Sequence, residues 1–387
     1  MSKILMFTNR LIIGGPSVHL LSLVEYFHDK HEICLVYGCA LDNEASMENE
    51  FAAFGIKMYK LNTLKRSLNP FPDIISMFEV SKIIKDFNPD IIHTHTFKPG
   101  IIGRISARRN KVPNIIHTYH GLIFDSYFSK FTSLVISKMD KKIADYTDTI
   151  IALSDIQKNQ IIKFIGEQQG AKIRVVPLSV SSDLYKFSEN KEKKYRGEIG
   201  VSESKTILGM VGRLVEIKNV LQAIKVFSEL KKDKSASNSI LLIIGDGDQK
   251  QMLISKAKEY GLKVEMDKAN DSTDVVFIAW QRDLIPVYSA MDLLILSSKN
   301  EGTPFSIIEA QMMKTAVLTS SVGGVADIVD EGKTALLFNS EKEMKIKMKD
   351  FLMNPKKLSD FKNNAFNFAH NKFSMKKMLS IYEKLYN

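Results

Sequence analysis

The residues with the clearest potential for chemistry are two glutamates in the stretch SSKNEGTPFSIIEAQMMK. Glu301 follows an apolar, strand-like run, and Glu309 lies eight positions later within an apolar helical pattern. Free backbone N–H groups at the start of that helix, at Phe305, Ser306 and Ile307, would point toward hydroxyl or phosphate oxygens. Glu309 is flanked by apolar residues, so a solvated surface explains it poorly. A loop carboxylate and a helix carboxylate can bind different ends of one polyhydroxylated ligand.

Two cations follow the first strand-like run of the second half of the chain, in the segment VGRLVEIKN. Arg213 and Lys218 lie in a connection that leads into a helical pattern, where a helix N-terminus would add positive potential. A planar guanidinium and an ammonium group together suit a diphosphate. If the segment stood alone, a surface loop with two solvated cations would be the favoured interpretation.

A turn with the sequence Gly-Asp-Gly-Asp follows the next buried run. Its aspartates, Asp246 and Asp248, could hold Mg²⁺. Gly and Asp are also typical residues of turns and helix N-caps, and we favour the turn interpretation.

In the first half of the chain, a glycine pair follows the strand-like run KILMFT. Gly14-Gly15-Pro16 precedes an apolar helical pattern, so backbone N–H groups near Gly15 could approach an anion. Taken alone, the tripeptide is more often a tight turn, and the GxGxxG dinucleotide fingerprint is absent.

Histidines end two strand-like runs of the first half: His93 and His95 on one, His117 and His120 on the other. A metal cluster is disfavoured, because no carboxylate or cysteine stands at typical ligand spacing. His120, directly before Gly121, is the histidine that we expect to reach a substrate. The others are predicted to be core or supporting residues.

Positive charge is concentrated in one window of the chain. From Ile91 to Lys142 nine residues are basic and two are acidic, interleaved with aromatic and aliphatic residues in a pattern that can form an amphipathic helix. Such a surface can adsorb to anionic lipid, with roughly 1 kcal/mol from each Lys or Arg. A solvated face is an equally good interpretation. Nucleic acid is not expected as a partner, because no recognised nucleic-acid module accompanies the charge.

The composition is that of a globular protein with real cores. The chain has 387 residues, with 54 Lys and Arg against 44 Asp and Glu, and 44% are hydrophobic. These values exclude a disordered or collagen-like chain and predict two or three domains. Cys34 and Cys39 form no metal-ligand pattern. Because no signal peptide and no run of about 18 apolar residues is found, we expect a cytoplasmic protein, at most peripheral to the inner face of the plasma membrane.

The elements that must position these residues form two successive α/β units. Continuous apolar runs alternate with helical patterns, which predicts parallel sheets covered by helices on both faces. Residues 181–200 are polar, show no apolar periodicity, and are the linker candidate. Ligands of such sheets bind beyond the carboxyl ends of the strands, so the cleft between the two sheets is the predicted site. The predicted strands are 3–8, 33–37, 90–94, 114–119, 149–153 and 173–176 in the first unit, and 206–211, 239–245, 274–280, 292–298, 316–320 and 334–338 in the second.

Taken together and in this order, the motifs resemble those of family 4 glycosyltransferases over nearly the whole chain. The hallmark is Glu-x7-Glu, here Glu301 and Glu309 in EGTPFSIIEA, followed by VGGVADIVDEGKTALLF. The GRL…K segment, the Gly-Gly loop and the His-Gly pair at His120 are three further motifs. The chain departs from the family pattern where an NGVD-like turn reads PLSVSS and where a GxGP-like turn reads GDGD.

The resemblance implies the α/β GT-B fold, with two Rossmann-like domains facing across a cleft. Residues 1–182 would form the acceptor-binding domain and residues 200–365 the nucleotide-sugar donor domain. Residues 366–387 would form a helix that crosses back to the first domain.

The resemblance also implies roles for the candidate residues. Arg213 and Lys218 would neutralise the donor diphosphate, Glu301 would hold hydroxyls of the donor sugar, Glu309 would accept hydrogen bonds from ribose, and His120 would lie near the transferred sugar. The catalytic set is therefore His120, Glu301, Arg213 and Lys218. The donor-binding set is Gly15, Arg213, Lys218, Glu301, Phe305, Ser306, Ile307 and Glu309.

The expected activity is retaining transfer of a hexosyl or N-acetylhexosaminyl group from a nucleotide-sugar, with UDP favoured, to a glycan or polyprenyl-diphosphate-linked acceptor. The product would belong to a surface polysaccharide such as lipopolysaccharide O-antigen or capsule. The resemblance also implies that no metal or cofactor is needed, with the cationic pair in the place of Mg²⁺ at the leaving group. One alternative is a UDP-sugar 2-epimerase of related fold, against which the Glu-x7-Glu spacing argues. Another is a non-catalytic nucleotide-sugar-binding protein.

Overall fold

The chain forms two compact domains in a computed structural model that describes residues 1–40, 44–65, 70–121, 130–180 and 185–387. The first domain contains Met1–Leu178 and Lys376–Asn387, and the second contains Ser179–Met375.

The first domain is built on one parallel sheet. Its elements are β1 (Lys3–Arg10), α1 (Gly15–Phe27), β2 (Glu32–Gly38), α2 (Glu48–Ala52), β3 (Lys57–Leu61), α3 (Pro70–Phe87), β4 (Ile91–His95), α4 (Phe97–Arg109), β5 (Asn114–Thr118), α5 (Lys130–Asp145), β6 (Thr149–Ala152), α6 (Asp155–Ile165) and β7 (Ile173–Val175). The order of the described strands is β3-β2-β1-β4-β5-β6-β7. Right-handed crossovers place α1 and α2 on one face and α3 to α6 on the other.

The second domain repeats this architecture. Its elements are α7 (Glu189–Glu198), β8 (Thr206–Val211), α8 (Val220–Lys232), β9 (Ser239–Ile244), α9 (Lys250–Glu259), β10 (Val264–Met266), β11 (Val275–Ile278), α10 (Ile285–Ala290), β12 (Leu293–Leu296), α11 (Phe305–Met312), β13 (Ala316–Ser320), β14 (Ala335–Phe338), α12 (Glu341–Met353) and α13 (Pro355–Lys372). The order of the described strands is β10-β11-β9-β8-β12-β13-β14, and neighbouring strands are parallel.

The strand order reverses between β8 and β12 in the second sheet. Loops that follow these two strands leave the sheet at the same edge and diverge to opposite faces, which opens a crevice in doubly wound sheets. Arg213 and Lys218 follow β8, and Glu301 follows β12. The fold therefore brings the predicted cations and the predicted loop carboxylate to one place.

The last helix, α14 (Met375–Tyr386), packs on the first domain. The hydroxyl of Tyr382 forms a hydrogen bond of 3.0 Å with Nε2 of His19 on α1, and the hydroxyl of Tyr386 forms one of 2.6 Å with Nδ1 of His93 on β4. The C-terminal helix thus lies against the face of the sheet that α1 covers.

The sheets confirm the predicted α/β class, whereas two edge strands escaped the sequence pattern. β3 and β10 are short, and most of their residues are partly or fully exposed. Edge strands lack the continuous apolar run that marks a strand covered on both faces.

The linker prediction for 181–200 is wrong over part of its length, because α7 belongs to the second domain. Tyr195 and Arg196 of this helix are buried, and the Arg196 guanidinium donates to Asp292 Oδ2 at 2.9 Å. The helix is anchored through these two side chains, and two adjacent buried positions leave no apolar periodicity in the sequence. Residues 181–184 lie outside the described part of the chain.

The returning helix is shorter than the predicted span 366–387. α13 is one continuous helix across position 365, and its residues Phe361, Ala365 and Ala369 are buried in the second domain. The chain passes to the first domain only at Lys376.

Candidate active site

Lys218 and Glu301 form an ion pair at the switch point of the second sheet. The Lys218 ammonium donates to Glu301 Oε1 at 2.6 Å, and the Ser298 hydroxyl donates to the same oxygen at 2.6 Å. The side chain of Glu301 is 11% exposed and that of Lys218 is 23% exposed. The pair is therefore preorganised and still within reach of a ligand.

The loops that hold this pair are tied to each other. The Ser297 hydroxyl donates to the carbonyls of Lys218 and Asn219, at 3.2 and 2.9 Å, and the Lys299 amide donates to the Ile217 carbonyl at 2.8 Å. These bonds fix the β12 loop against the β8 loop.

Arg213 lies in the same β8 loop and is half-buried. It lines a recess at the ends of β8 and β12, together with Gly212, Leu214 and Lys218. No carboxylate pairs with Arg213 within the described ranges, so its charge is available to an anion, whereas Lys218 shares its charge with Glu301.

Two glycines let the loop after β9 pack directly on the Arg213 loop. A Cβ at Gly245 would lie 2.0 Å from the Gly212 carbonyl oxygen, and one at Gly247 would lie 2.3 Å from that of Leu214. The Leu214 amide donates to the Asp246 carbonyl at 2.8 Å. Gly-Asp-Gly-Asp therefore acts as a turn that supports the cation loop.

The side chain of Asp246 takes part in the turn itself. Its Oδ1 accepts from the Gly247 amide at 2.9 Å, and its Oδ2 pairs with Lys250 at 3.2 Å. Throughout the described ranges, no three His, Cys, Asp or Glu side chains are grouped so that they could hold a metal ion.

A second glycine pair holds the Glu301 loop from the other side. A Cβ at Gly323, where φ is +54°, would lie 1.7 Å from the Glu301 carbonyl oxygen, and the Gly324 amide donates to the Gly302 carbonyl at 2.7 Å. The two glycines of the VGG segment are therefore needed because the Glu301 loop packs directly on their backbone.

The start of α11 differs from the prediction in one amide. The Ile307 N–H donates to the Pro304 carbonyl at 3.2 Å, because the first turn of the helix is tight. Phe305 and Ser306 occupy the first two helical positions, whose N–H groups have no acceptor within an α-helix. Of the three predicted amides, Ile307 is the one already used.

Glu309 lies on α11 in surroundings unlike those of Glu301. Its carboxylate accepts hydrogen bonds from two tyrosine hydroxyls, that of Tyr185 on Oε1 and that of Tyr288, at 3.0 Å, on Oε2. The residue is 7% exposed. Burial raises the pKa of Glu309 to about 7, although the two hydrogen bonds act in the opposite direction. Glu301 therefore pairs with an ammonium group, whereas Glu309 accepts hydrogen bonds from two phenols.

The raised pKa of Glu309 makes the stability of the second domain depend on pH. A group with a raised folded-state pKa contributes stability below its unfolded pKa of 4.5 and loses that contribution as the pH rises through about 7. Glu309→Gln should therefore increase the free energy of unfolding at pH 8 by about 1–3 kcal/mol, with a higher melting temperature. At pH 5 it should leave the melting temperature unchanged. Thermal scans at the two pH values measure this. Glu331→Gln, at an exposed position, is the matched control. An equal effect of Glu309→Gln at both pH values would contradict the assignment.

His120 follows β5 of the first domain, is half-buried, and lies beside two buried histidines. Its ring centroid is 5.3 Å from that of His95 and 5.4 Å from that of His19. Burial lowers the pKa of His120 well below its usual value near 6.5, so the ring is neutral at neutral pH. His120 lines a small recess with Thr96 and Gly121. Residues 122–129, which follow, lie outside the described part of the chain.

The other three predicted histidines are fully buried. His93 shares hydrogen bonds with Tyr386 and with Thr118, and His117 shares one of 2.9 Å with the Thr94 hydroxyl. They support the sheet and α14.

Gly15 is the first residue of α1, with Gly14 as its N-cap. A Cβ at Gly14 would meet no described atom within 4 Å, so the surface beside this helix start is open. The predicted position of Gly15 at a strand-to-helix loop agrees with the structure.

Sequence reasoning missed the residues that surround the two glutamates. Ser298 lies two residues after the end of β12, and a hydroxyl three positions before Glu301 is a signal that could have been used. Tyr185 and Tyr288 are 124 and 21 positions from Glu309, and no local pattern connects them.

The protein thus consists of two Rossmann-like α/β domains, and in the second the candidate loops lie at the switch point of the parallel sheet. This architecture is typical of proteins that bind nucleotides. The family profile "Glycosyl transferases group 1" matches residues 191–368, and the profile "Glycosyltransferase Family 4" matches residues 13–184. The chain belongs to the group 1 glycosyltransferases of family 4.

Two bacterial enzymes are similar to the chain. The UDP-Gal:alpha-D-GlcNAc-diphosphoundecaprenol alpha-1,3-galactosyltransferase of Escherichia coli is 29% identical over 269 residues, which cover 70% of this chain and 67% of that protein. The capsular polysaccharide biosynthesis glycosyltransferase CapM of Staphylococcus aureus is 26% identical over 331 residues, which cover 84% and 83%.

The fold is similar to that of a solved structure, Anabaena Alr3699/HepE in complex with UDP. The TM-score is 0.81 at 18% identity, and the comparison covers 99% of each chain. This likeness shows the GT-B fold. Among the described helices, none is long and apolar enough to cross a bilayer.

Proposed function

We propose that the protein transfers a hexosyl or N-acetylhexosaminyl group from a UDP-sugar, with retention and without a metal ion, to a glycan or polyprenyl-diphosphate-linked acceptor of a surface polysaccharide. The observation that carries the proposal is the Lys218–Glu301 pair beside Arg213, at the switch point of the second sheet. A nucleotide-sugar carries a diphosphate, which cations bind, next to sugar hydroxyls, which a carboxylate can bind. The names of the Escherichia coli and Staphylococcus aureus relatives support the donor and pathway classes.

The proposed chemistry divides between the ends of the donor. Arg213 and Lys218 stabilise negative charge on the diphosphate as it leaves, and fixed charges of this kind are worth a few kcal/mol each. Glu301 and the first amides of α11, at Phe305 and Ser306, bind hydroxyls of the donor sugar. Glu309 binds ribose, for which the ribose hydroxyls replace or join the tyrosine hydroxyls on its oxygens.

The first domain contributes two residues to the proposal. Backbone N–H groups at Gly15, where α1 begins, bind the diphosphate. His120, as a neutral imidazole, forms a hydrogen bond with the transferred sugar. No metal ion or cofactor takes part, since the cations of the β8 loop supply the positive charge at the leaving group.

A thermal-shift panel of UDP, GDP, ADP and several UDP-sugars, each with and without EDTA, tests the donor site. Ligand at about 100 times its dissociation constant adds roughly 2.7 kcal/mol of stability. We expect stabilisation by UDP compounds that is insensitive to EDTA and lost in Arg213→Ala. Stabilisation that required a divalent ion would overturn the metal-free proposal and turn attention to Asp246 and Asp248.

Product analysis separates the proposal from its two alternatives. With a UDP-sugar and a detergent-solubilised lipid-linked acceptor, a retaining transferase releases UDP and forms a linkage of the donor's anomeric configuration, which NMR reads directly. A 2-epimerase interconverts free UDP-N-acetylhexosamines without an acceptor. A non-catalytic binding protein binds UDP and releases none from the donor.

We also propose that the first domain docks on an anionic membrane through the exposed faces of α3 and α5. The docking surface is defined by Phe71, Ile74, Ile75 and Phe78 on α3 and by Leu134, Val135 and Met139 on α5. These residues are half of the large hydrophobic side chains that are exposed among the described residues. α3 packs against α4 and α4 against α5, so the two rows belong to one face.

Exposed basic residues on α3, α4 and α5 favour anionic lipid as the partner of the docking surface. Exposed lysines and arginines on the same three helices are Lys82, Lys85, Arg108, Arg109, Lys138, Lys141 and Lys142. Two members of the basic window in the sequence are used elsewhere: Arg104 is buried, and Lys98 pairs with Asp73 at 2.8 Å. Apolar insertion with a basic border is the pattern of an interfacial helix.

Vesicle flotation tests the docking surface. The double variant Ile74→Glu/Phe78→Glu should reduce binding to phosphatidylglycerol-containing vesicles at least about tenfold, because it removes apolar insertion and adds charge that anionic lipid repels. Ile346→Glu, at a residue 57% exposed on α12 of the second domain, is the control and should bind like the wild type. Equal binding of all three proteins, or equal binding to neutral phosphatidylcholine vesicles, would contradict the proposal.

A further inference from the structure

A hydrogen bond joins a buried imidazole of the first domain to a half-buried one. Nδ1 of His95 and Nε2 of His120 are 3.0 Å apart. His95 ends β4 and pairs in register with Thr118 of the neighbouring strand β5. His120 lies two positions beyond Thr118, so both imidazoles project from the same face of the sheet.

The state of the two rings determines the direction of this bond. Burial lowers the pKa of both His95 and His120 well below the usual value, so each ring carries one N–H at neutral pH. Nε2 of His95 is buried and has no hydrogen-bond partner in the described part of the chain. A buried N–H without an acceptor is rarer than an acceptor without a donor. The proton of His95 therefore belongs on Nδ1, and His120 accepts it on Nε2.

The consequence for His120 is a single tautomer. With Nε2 occupied as an acceptor, its own proton is on Nδ1. His120 lines the recess with Thr96 and Gly121, where its remaining nitrogen is the one available to a ligand oxygen. That nitrogen then donates a hydrogen bond, which a sugar hydroxyl or ring oxygen can accept.

We propose that His95 is a positioning residue for the transfer reaction. Its Nδ1–H donates a hydrogen bond to His120, so that His120 presents an N–H to the donor sugar. The role deepens the proposed function and rests on it, because it requires that His120 touch the substrate. His95 itself makes no contact with substrate in this proposal.

The surroundings of His95 are built to hold it still. It is completely buried, and its ring lies 4.0 Å from that of His93 between centroids. His93 is in turn held by two hydroxyls, at 2.6 Å from Tyr386 of α14 and at 2.8 Å from Thr118. The C-terminal helix therefore stiffens the residue that orients His120.

Two amide substitutions separate the hydrogen bond from the packing of the ring. The Asn amide nitrogen lies near the position of the imidazole Nδ1, whereas the Gln amide nitrogen lies near that of Nε2. His95→Asn should therefore keep the bond to His120 and retain kcat within about fivefold of the wild type. His95→Gln and the isosteric His95→Phe should lower kcat by about 10- to 100-fold, the loss typical of a supporting partner, with the donor KM changed less than about twofold.

The control is a buried histidine at the other end of the same sheet. His31 precedes β2, and its Nδ1 accepts a hydrogen bond of 3.2 Å from the Ser2 amide. His31→Phe removes a buried imidazole of the first domain without touching His95 or His120 and should leave kcat unchanged. Circular dichroism and thermal melting compare the folded state of all four variants.

Nitrogen NMR of histidine-labelled, full-length protein gives a readout that needs no turnover. In the wild type, Nδ1 of His120 should show the pyrrole-type shift and Nε2 the pyridine-type shift. In His95→Phe the two signals should move toward an average of both tautomers, and His95→Asn should restore the wild-type pattern. Unchanged His120 signals in a folded His95→Phe protein would overturn the inference.

The kinetic outcomes distinguish this inference from the proposed function. If His120→Ala abolishes transfer but His95→Phe, His95→Gln and His95→Asn all match the wild type, the inference is wrong and the proposed role of His120 stands. If His120→Ala leaves transfer intact, the role of His120 in the proposed function is wrong, and His95 has no reaction to support. Loss in His95→Phe and His95→Gln with rescue by His95→Asn supports the inference.

Discussion

Lys218→Ala is expected to reduce kcat for sugar transfer by about 100- to 1,000-fold. In the proposed reaction the Lys218 ammonium faces the diphosphate as charge develops on it, and loss of one preorganised group at such a site costs about 2.7–4 kcal/mol of activation free energy. The effect should fall on kcat more than on the donor KM, because the ammonium binds the departing diphosphate more strongly than the intact donor. Steady-state kinetics with a UDP-sugar and a soluble acceptor analogue measure both constants.

The chain provides a matched control for this substitution in the neighbouring loop. Lys299 pairs with Glu216 at 2.8 Å, two residues before Glu301, but its side chain is 53% exposed. Lys299→Ala removes a lysine of the same loop pair and should leave kcat within about twofold, because an exposed ion pair contributes little. If both substitutions reduced kcat equally, the loss would reflect disturbance of the loops, and the assignment of Lys218 to the diphosphate would be contradicted.

The architecture of the site could be predicted because it follows from the order of strands along the chain. Arg213, Lys218 and Glu301 each follow a continuous apolar run, and parallel strands of a doubly wound sheet place such positions at one edge. The glycines of GDGD and VGG could be recognised as turn residues, yet their packing on Gly212 and on Glu301 requires knowledge of which loops are neighbours.

The contacts of Glu309 could not be predicted, because they join parts of the chain that share no pattern. A tyrosine at position 185 lies in a polar stretch with no apolar period, and only the folded domain brings its hydroxyl to α11. The same limitation explains the omission of α7, which is anchored through Tyr195 and Arg196 instead of an apolar stripe.

Arg104 shows how composition can mislead about a surface. In the sequence it belongs to a basic window, and in the structure it is 1% exposed. Its Nε donates to the Gly100 carbonyl at 2.6 Å, one turn earlier in α4, and one of its terminal nitrogens donates to Asp140 Oδ1 at 2.5 Å. Gly100 and Gly103 on this helix contact His117 and Phe7 too closely for a Cβ, which identifies the inward face of α4.

Asp140→Ala is expected to lower the free energy of unfolding of the first domain by about 3–5 kcal/mol, because it leaves the buried Arg104 guanidinium without its carboxylate. The Asp140 carboxylate also accepts the Tyr119 hydroxyl at 2.5 Å, so a second buried donor loses its partner. The single tryptophan, Trp280, lies in the second domain. Urea unfolding of the first domain is therefore best followed by hydrogen exchange of the β5 amides.

Two comparisons identify the cause of this loss. Asp73→Ala breaks another ion pair between helices of the first domain, the one between Asp73 and Lys98, whose side chains are 26% and 11% exposed. We expect this substitution to lower the free energy of unfolding by less than about 1 kcal/mol. The double substitution Arg104→Met/Asp140→Leu replaces the buried charges by apolar side chains and should recover most of the stability lost in Asp140→Ala. If Asp140→Ala cost no more stability than Asp73→Ala, the idea that it leaves the Arg104 charge buried without a partner would be contradicted.

The Arg104–Asp140 pair also lies close to a proposed site residue, because Tyr119 directly precedes His120. A folded Asp140→Ala protein that still binds UDP but turns over slowly would show that the ion pair also holds the end of β5 in place for the reaction.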